Sequence, residues 1–167
     1  MRAIVNITPQ WGIGYEDRLI VRIRADMRRF RALTEHHTII VGRKTLATFP
    51  NGQPLKNRTN IVMTRNPLFH QDGAISCLDL NMLRELTSGC DPNEVYVCGG
   101  ERIYRLLLPY CDSALVTLSY TDAKADRFFP NLNLLPNWEL SHVGDKQSEN
   151  GVSFRFLEFR NTDPQTL

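Results

Sequence analysis

Short runs of apolar and β-branched residues recur along most of the chain and predict strands. The runs are "AIVNIT" (3–8), "TIIVG" (38–42), "TNIVMT" (59–64), "AISC" (74–77), "EVYVCGG" (94–100) and "ALVTLSY" (114–120). Helical patterns lie between them in "RIRADMRRFRAL", after "GRKT", in "DLNMLRELTSG" and in "ERIYRLLL". Because strands alternate with helices, the pattern predicts a largely parallel sheet with helices on both faces.

After residue 130 the pattern changes to strict alternation. "NWELSHVG" and "VSFRFLEFR" alternate apolar and polar residues on either side of a loop that contains "SENG", which predicts an antiparallel hairpin. The predicted fold class is therefore α/β, with a mixed, mainly parallel central sheet of about eight strands. Helical patterns at four places would pack on both faces, and the hairpin would end the chain. The chain shows no repeat or linker, so we expect residues 1–167 to form a single domain.

The first helical pattern carries a carboxylate on its apolar side. At about 100° per residue, an arc of roughly 120° contains Ile23, Met27, Phe30 and Leu33. Asp26 falls inside this arc, whereas the five neighbouring arginines, Arg22, Arg24, Arg28, Arg29 and Arg31, fall outside it. In the first turn of an exposed helix, an acidic residue gains up to about 1 kcal/mol from the helix dipole. If Asp26 is buried instead, several kcal/mol are lost unless a partner such as the N–H groups of a ligand binds it.

Composition and charge narrow the function classes only slightly. The chain has 20 basic and 18 acidic residues and a formal net charge of +2, which does not require a nucleic-acid or membrane partner. The four cysteines, Cys77, Cys90, Cys98 and Cys111, form no C-x-x-C pair, so neither a metal site nor a disulfide framework is indicated. With no signal peptide or long apolar run, we expect a soluble, cytoplasmic protein.

Glycines and cations follow several predicted strands. "IIVGRKT" runs from strand to helix through Gly42, and "VYVCGGERIY" does so through Gly99 and Gly100. Glycine lets a phosphate approach the backbone, and a helix start offers free N–H groups. Arg43 and the segment "MTR" (63–65) add cations and a hydroxyl. Taken singly, these residues are explained by ordinary turns and solvated charges. Taken together, they fit a phosphate site. Arg58 likewise fits either a carboxylate contact or the protein surface.

In their order along the chain, these segments resemble the dihydrofolate reductase family. The matching motifs are "WGIGYEDRL", similar to the family's mobile loop over the active site, then "RADMRRF", "VGRKTLATFP", "PLKNRTNIVMTR", "VYVCGGERIY", "ALVTLSY" and "ADRFFP". The resemblance implies reduction of 7,8-dihydrofolate to tetrahydrofolate by hydride transfer from NADPH, in support of one-carbon and thymidylate metabolism. It further implies a cytoplasmic monomer that binds dihydrofolate and folate-like inhibitors, with no nucleic-acid, membrane or metal partner.

The resemblance also assigns roles to individual residues. Asp26 matches the acid that binds the pterin, Thr117 the hydroxyl that supports this acid, and Tyr104 an aromatic ring beside the nicotinamide. Substrate-binding positions are matched by Ile4, Val5, Met27, Phe30, Phe49, Leu55, Arg58 and Cys98, of which Leu55 and Arg58 meet the aminobenzoyl-glutamate tail. Cofactor-binding positions are matched by Asn6, Ile13, Gly14, Leu19, Gly42, Arg43, Lys44, Thr45, Met63, Thr64, Arg65, Gly99, Gly100, Glu101, Arg102 and Ile103.

The chain departs from the family pattern at three places. Many members have Pro-Trp where this chain has Ile20 and Val21, and because the indole helps to hold water near the pterin, we expect a different proton route. Arg24 replaces a common proline, which should leave the start of the helix less rigid. Glu101 replaces a small residue, and its carboxylate would repel a pyrophosphate unless it turns to solvent or pairs with a cation.

Two other functions remain open at this point. A pyrimidine reductase of riboflavin synthesis shares the fold and the cofactor geometry, but it would not require the inward Asp26. A nucleotide or nucleic-acid binder could use the arginines of the first helix. Binding of single strands usually needs exposed aromatic residues beside the charges, and Phe30, the only aromatic there, is predicted to face inward.

Overall fold

The computed structural model describes all 167 residues. In chain order, the strands are β1 (Arg2–Ile7), β2 (Gly12–Tyr15), β3 (Arg18–Leu19), β4 (Thr38–Gly42), β5 (Thr59–Met63), β6 (Ala74–Cys77), β7 (Val95–Gly99), β8 (Ser113–Tyr120), β9 (Arg127–Phe128), β10 (Trp138–Val143), β11 (Gln147–Glu149) and β12 (Val152–Asn161). The helices are α1 (Arg24–Thr34), α2 (Arg43–Ala47), α3 (Leu80–Thr87) and α4 (Glu101–Leu107). None of these helices combines the length and the apolar character needed to cross a bilayer.

Nine strands form the central sheet, in the order β10-β12-β8-β1-β7-β4-β5-β6 with β11 paired to β12. The six strands from β8 to β6 in this order run parallel, and β12 joins β8 in antiparallel orientation. β10 and β11 both pair antiparallel with β12. The prediction of a mixed, mainly parallel sheet that ends in an antiparallel hairpin is therefore confirmed.

Alternate residues of the central strands pack into clusters on opposite faces of the sheet. In β4, Ile40 joins the largest apolar cluster, whereas Ile39 and Val41 belong to two smaller clusters. All three residues are fully buried, which explains the continuous apolar run, since helices cover both faces. α3 and α4 pack on the large cluster, and α1 and α2 pack on the smaller ones.

A second sheet of three strands, in the order β3-β2-β9, was not predicted from the sequence. The segment "WGIGYEDRL" was expected to be a loop, but it forms the β2–β3 hairpin with Glu16 and Asp17 at positive φ in its turn. Gly12 and Gly14 weaken the strand pattern of β2, and β3 and β9 have two residues each. Such short strands offer no alternation to detect.

A carboxylate from the C-terminal hairpin caps the first helix. The residue before α1, Ile23, offers no side-chain cap, and the Arg24 N–H donates to Glu149 Oε1 at 2.5 Å. A proline at position 24 would have no N–H to donate. Arg24, in place of the family's common proline, adds a backbone donor, and Glu149 of β11 supplies the acceptor beside the positive end of the helix. This contact ties the start of α1, and with it Asp26, to the sheet.

Removing this cap should destabilise the protein measurably. We expect Glu149→Ala to lower the free energy of unfolding by about 1 kcal/mol, because it leaves the Arg24 N–H without its acceptor. Glu149→Gln should cost about half as much, since its carbonyl still accepts the bond. Urea unfolding measures both, with Glu139→Ala, an exposed change on β10, as the control. Equal stability of the three variants would contradict the capping role.

Candidate active site

A cleft of about 930 Å³ lies at the carboxyl ends of the parallel strands. Ligands bind at this edge in open α/β sheets, and the volume suits a nucleotide-sized molecule. One wall comes from the β2–β3 hairpin, and the opposite wall comes from the starts of α2 and α4 and the end of β5. The strand order thus brings together segments that are far apart in the sequence.

All the residues predicted to bind a cofactor line this cleft, except Gly99. The lining set is Asn6, Ile13, Gly14, Leu19, Gly42, Arg43, Lys44, Thr45, Met63, Thr64, Arg65, Gly100, Glu101, Arg102 and Ile103. Gly99 is buried behind the cleft at φ +105°, and a Cβ there would lie 2.8 Å from the Tyr104 ring. A cis peptide bond joins it to Gly100, where a Cβ would meet Thr45 Oγ1 at 3.1 Å. Both positions are therefore too close to their neighbours for a side chain.

Several cations face the cleft without an acidic partner. Arg43, Arg65 and Arg102 take part in none of the ion pairs of the structure. Lys44 Nζ lies 3.6 Å from Asp17 Oδ1 across the cleft, and both groups are exposed. The cleft therefore offers positive charge and hydroxyl groups, the chemistry that phosphates require.

Asp26 is half-buried and bound to the sheet, and it does not itself line this cleft. Its Oδ1 accepts a hydrogen bond from Thr117 Oγ1 at 2.5 Å, and its Oδ2 accepts one from Asn6 Nδ2 at 3.1 Å. Asn6 also lines the cleft. Thr117 is only 2% exposed, so this partner holds the carboxylate from inside the sheet.

Five of the eight predicted substrate-binding residues gather around one apolar cluster, whereas Val5 belongs to the large cluster and Met27 and Arg58 to neither. Ile4 belongs to this smaller cluster, and Phe30, Phe49, Leu55 and Cys98 pack against it. Val5 and Cys98 also line the cleft, so the apolar surface adjoins the cofactor side.

The apolar arc of α1 is only partly covered. Ile23, at one end of the arc, is buried, and Phe30 and Leu33 are half-buried. Met27, which follows Asp26 in the sequence and belongs to the same arc, is 49% exposed. The sheet therefore does not cover the whole apolar side of the helix. An apolar surface therefore remains open beside the carboxylate.

Arg58 is tethered to the end of α1. Its Nη1 donates to the Lys56 carbonyl at 2.7 Å, and its Nε donates to Thr34 Oγ1 at 3.3 Å. A third, longer contact of 3.5 Å joins Nη2 to the Arg31 carbonyl. These neutral acceptors orient the guanidinium, which forms no ion pair in the structure.

Tyr104 and Cys98 remain neutral. Burial raises the pKa of Tyr104 well above its ordinary value, and its hydroxyl donates to the Ile4 carbonyl at 2.7 Å. Burial likewise raises the pKa of the Cys98 thiol. Neither group can therefore act as a base at neutral pH.

Arg29, on the same helix, lies close enough to Asp26 to feel its charge. Burial lowers the pKa of Arg29, and the carboxylates of Glu158 and Asp26 act against this shift. The guanidinium lies 4.4 Å from the ring centroid of Phe156 and 3.8 Å from Glu158. This arginine therefore packs against β12 and is not free for an outside partner.

The comparisons with known proteins decide the family. A family model described as dihydrofolate reductase matches residues 1–161. The chain belongs to the dihydrofolate reductase family. The dihydrofolate reductase of Bacillus subtilis (strain 168) is 34% identical over 149 residues, which cover 88% of this chain and 86% of that protein. The dihydrofolate reductase of Staphylococcus haemolyticus is 31% identical over 156 residues, covering 92% and 90%.

A solved structure of the same family also matches closely. It is the dihydrofolate reductase from Enterococcus faecalis complexed with NADP(H) and RAB-propyl, which is 26% identical to this chain. The superposition has a TM-score of 0.84 and covers 97% of this chain and 96% of that one. The suspected family resemblance is confirmed over the length of the fold.

The departure at Glu101 has a local partner in this dihydrofolate reductase. Glu101 Oε1 accepts hydrogen bonds from Arg105 Nη2 at 3.1 Å and from Arg105 Nε at 3.3 Å, one helical turn away. The carboxylate is thus paired with a neighbouring cation, one of the two arrangements expected from the sequence. Its repulsion of a bound phosphate is reduced accordingly.

Other cleft residues were missed by the sequence reasoning. They are Asp17, Arg18, Thr48, Asn66, Arg105, Leu106 and Arg127. Asp17 and Arg18 belong to the β2–β3 hairpin and Arg127 to β9, so they reach the cleft only because the small sheet forms. No local pattern in the sequence predicts that sheet.

Ser119 was also missed, although the sequence carried a signal for it. Its Oγ donates to Asn6 Oδ1 at 2.7 Å, and the residue is fully buried. Thr117 and Ser119 alternate along β8, and Asn6 interrupts the apolar run of β1 opposite Thr117. Polar residues at such positions of a central strand need partners, so the sequence indicated a buried polar network.

Proposed function

We propose that this dihydrofolate reductase binds its substrate through Asp26. The chain reduces 7,8-dihydrofolate to 5,6,7,8-tetrahydrofolate with NADPH, by hydride transfer, and so supports one-carbon and thymidylate metabolism. The observation that carries the assignment is the Asp26 carboxylate, held by Thr117 and by Asn6, which lines the basic cleft, with the exposed Met27 side chain beside it. A pyrimidine reductase has no need of this acid on the first helix.

The substrate end of the site has free acceptor capacity. An ionised carboxylate offers about four acceptor positions, and Thr117 and Asn6 use two of those on Asp26. The other two fit the amino group and the ring nitrogen of a pterin. Since the neighbouring cluster is apolar, these bonds are stronger than they would be in water. Asp26 favours protonation of the substrate imine, and the proton itself arrives through water.

The tail of the substrate lies along the apolar cluster towards Arg58. Phe30, Phe49 and Leu55 provide the surface for the aminobenzoyl ring. The Arg58 guanidinium, whose contacts are all to neutral oxygens, binds a carboxylate of the glutamate.

The cleft fits NADPH. Arg43, Thr64 and Arg65 hold its 2′-phosphate, and Thr45 with the free N–H groups at the start of α4 holds the pyrophosphate. The close approach of Gly100 to Thr45 leaves room there only for backbone. When bound, NADPH supplies the hydride, and the Tyr104 ring supports the nicotinamide side. Ile13, Gly14 and Leu19 of the hairpin wall exclude water.

We further propose that the chain acts as one domain, as a cytoplasmic monomer, and that folate-like inhibitors compete for the pterin position. Nucleic acid and membranes are not partners. Two of the five arginines around α1 are engaged locally, Arg29 on the Phe156 ring and Arg31 with Glu35. Phe30 packs against the core, so no aromatic side chain is offered to a base.

Thermal unfolding with different ligands tests the assignment. At about a hundredfold excess over its dissociation constant, NADPH should raise the melting temperature by about 5–10 °C. NADH at the same concentration should raise it far less, because it lacks the 2′-phosphate. A pterin-like antifolate should add a further shift to the NADPH complex. Equal shifts with both cofactors, or no antifolate shift, would contradict the proposal.

A further inference from the structure

A directed chain of hydrogen bonds ends on the acid of the site. The Ser119 hydroxyl donates to Asn6 Oδ1 at 2.7 Å, and Asn6 Nδ2 donates to Asp26 Oδ2 at 3.1 Å. Because Asn6 Oδ1 already has a donor, the amide must present its N–H groups towards Asp26. Asn6 and Thr117 therefore hold the two carboxylate oxygens separately.

Asn6 also borders the position where the family tryptophan is missing. A small pocket of about 10 Å³, roughly the volume that one water needs, is lined by Asn6, Thr8, Gly12 and Val21, among others. Thr8 Oγ1 already accepts from the Gly12 N–H at 3.1 Å. Asn6 is the polar residue that lines both this pocket and the large cleft, and its amide also contacts Asp26.

We propose that Asn6 is a positioning residue of the reduction, whose amide, oriented by Ser119, fixes Asp26 for protonation of the substrate. Asn6 supplies a polar group beside the small pocket, where Val21 has none to offer. The inference rests on the proposed function, and it gives Asn6 a role beyond the cofactor contact predicted from the sequence.

The groups around Asp26 make this role measurable by pH. The Asp26 charge raises the pKa of Arg29 on its own helix, as does Glu158 of β12, and it raises the pKa of Tyr104 on α4. Arg29 stays protonated and Tyr104 stays neutral throughout the neutral range. A change of the pH profile in that range therefore does not come from Arg29 or Tyr104.

Single-turnover hydride transfer, measured as a function of pH, tests the proposal. Asn6→Ala should lower the plateau rate by about tenfold, because the carboxylate loses a charge-assisted donor. Reduction consumes a proton, so the rate falls at alkaline pH, and the midpoint of this limb should move upward in Asn6→Ala. In Asn6→Asp, two adjacent carboxylates share a proton, and the midpoint should move up by about one pH unit or more. Ser119→Ala should produce a smaller shift in the same direction.

The controls separate positioning from folding and from cofactor binding. Asn93→Ala removes an exposed bond of the same chemistry, from Asn93 Nδ2 to Asp91 Oδ1 at 3.1 Å, and should leave the profile unchanged. The dissociation constant for NADPH, measured separately in both Asn6 variants, accounts for the cofactor contact predicted for this residue, and weaker NADPH binding with an unchanged pH profile would contradict the positioning role. Where Asn6→Ala fails to fold, the isosteric Asn6→Asp carries the test.

If both Asn6 variants fold and show the same pH profile and rate as the wild type, the inference is overturned and the proposed function stays intact. A wild-type protein that does not oxidise NADPH with dihydrofolate would overturn the proposed function. In that case the affinity for an antifolate, measured as a function of pH, still tests the Asn6–Asp26 contact, because binding needs no turnover. An unchanged dependence in Asn6→Asp would then overturn the positioning role too.

Discussion

Asp26→Asn should lower the rate of dihydrofolate reduction at neutral pH by about 10²–10³-fold while NADPH binds as before. The amide has nearly the shape of the carboxylate, so the contacts with Thr117 and Asn6 can persist in altered form. What is lost is the negative charge that favours a protonated pterin. Steady-state rates with dihydrofolate, together with a fluorescence titration of NADPH, measure both effects.

The pH dependence of the Asp26→Asn variant gives this experiment its internal control. Part of the lost rate should return as the pH falls, because solution then supplies the protonated substrate that the carboxylate no longer favours. Asp145→Asn, an exposed change in the loop after β10, should behave as wild type throughout. A parallel loss of NADPH binding would point to a folding defect, and retention of full activity would contradict the role of Asp26.

Arg65→Gln should raise the KM for NADPH by about 10–100-fold and leave the KM for NADH nearly unchanged. Arg65 lines the cleft and has no acidic partner, so its charge is available for the 2′-phosphate that only NADPH carries. Arg43→Gln should act in the same direction. Kinetics with the two cofactors at saturating dihydrofolate provide the comparison.

Arg84→Gln is the matched control, because Arg84 is an exposed arginine on α3 outside the cleft. It should change neither KM. If Arg65→Gln and Arg43→Gln weakened NADPH and NADH equally, the two arginines would not be reading the 2′-phosphate. The preference for NADPH would then lie elsewhere in the cleft.

The sequence predicted the parallel sheet well because its signal is local. Central strands such as β4, with Ile39, Ile40 and Val41 fully buried, must be apolar on both faces, and that run is visible without any tertiary information. The small sheet gave no such signal. Gly14 pairs with Leu19 on one side and with Arg127 on the other, and strands of two residues are stabilised by their neighbours alone.

In the candidate site, too, residues with a local sequence signal could be predicted and contacts between remote residues could not. Gly42 and Gly100 could be predicted to lie at the cofactor cleft, because glycine and cations directly follow strands in the sequence. The contacts that surround Asp26 could not, because their partners are remote: 20 residues separate Asn6 from Asp26, and 113 separate Asn6 from Ser119. The cap of α1 joins Arg24 to Glu149 across 125 residues. Each of these contacts depends on the sheet order, which residue patterns alone do not specify.

The most direct test of the account is the consumption of NADPH by the pure wild-type protein when dihydrofolate is added. We expect NADPH absorbance to fall only when both compounds are present, with one tetrahydrofolate formed for each NADPH consumed. A protein that binds NADPH tightly but leaves dihydrofolate unreduced would contradict the account, because a carboxylate held in an apolar recess beside the cofactor cleft would then serve another chemistry.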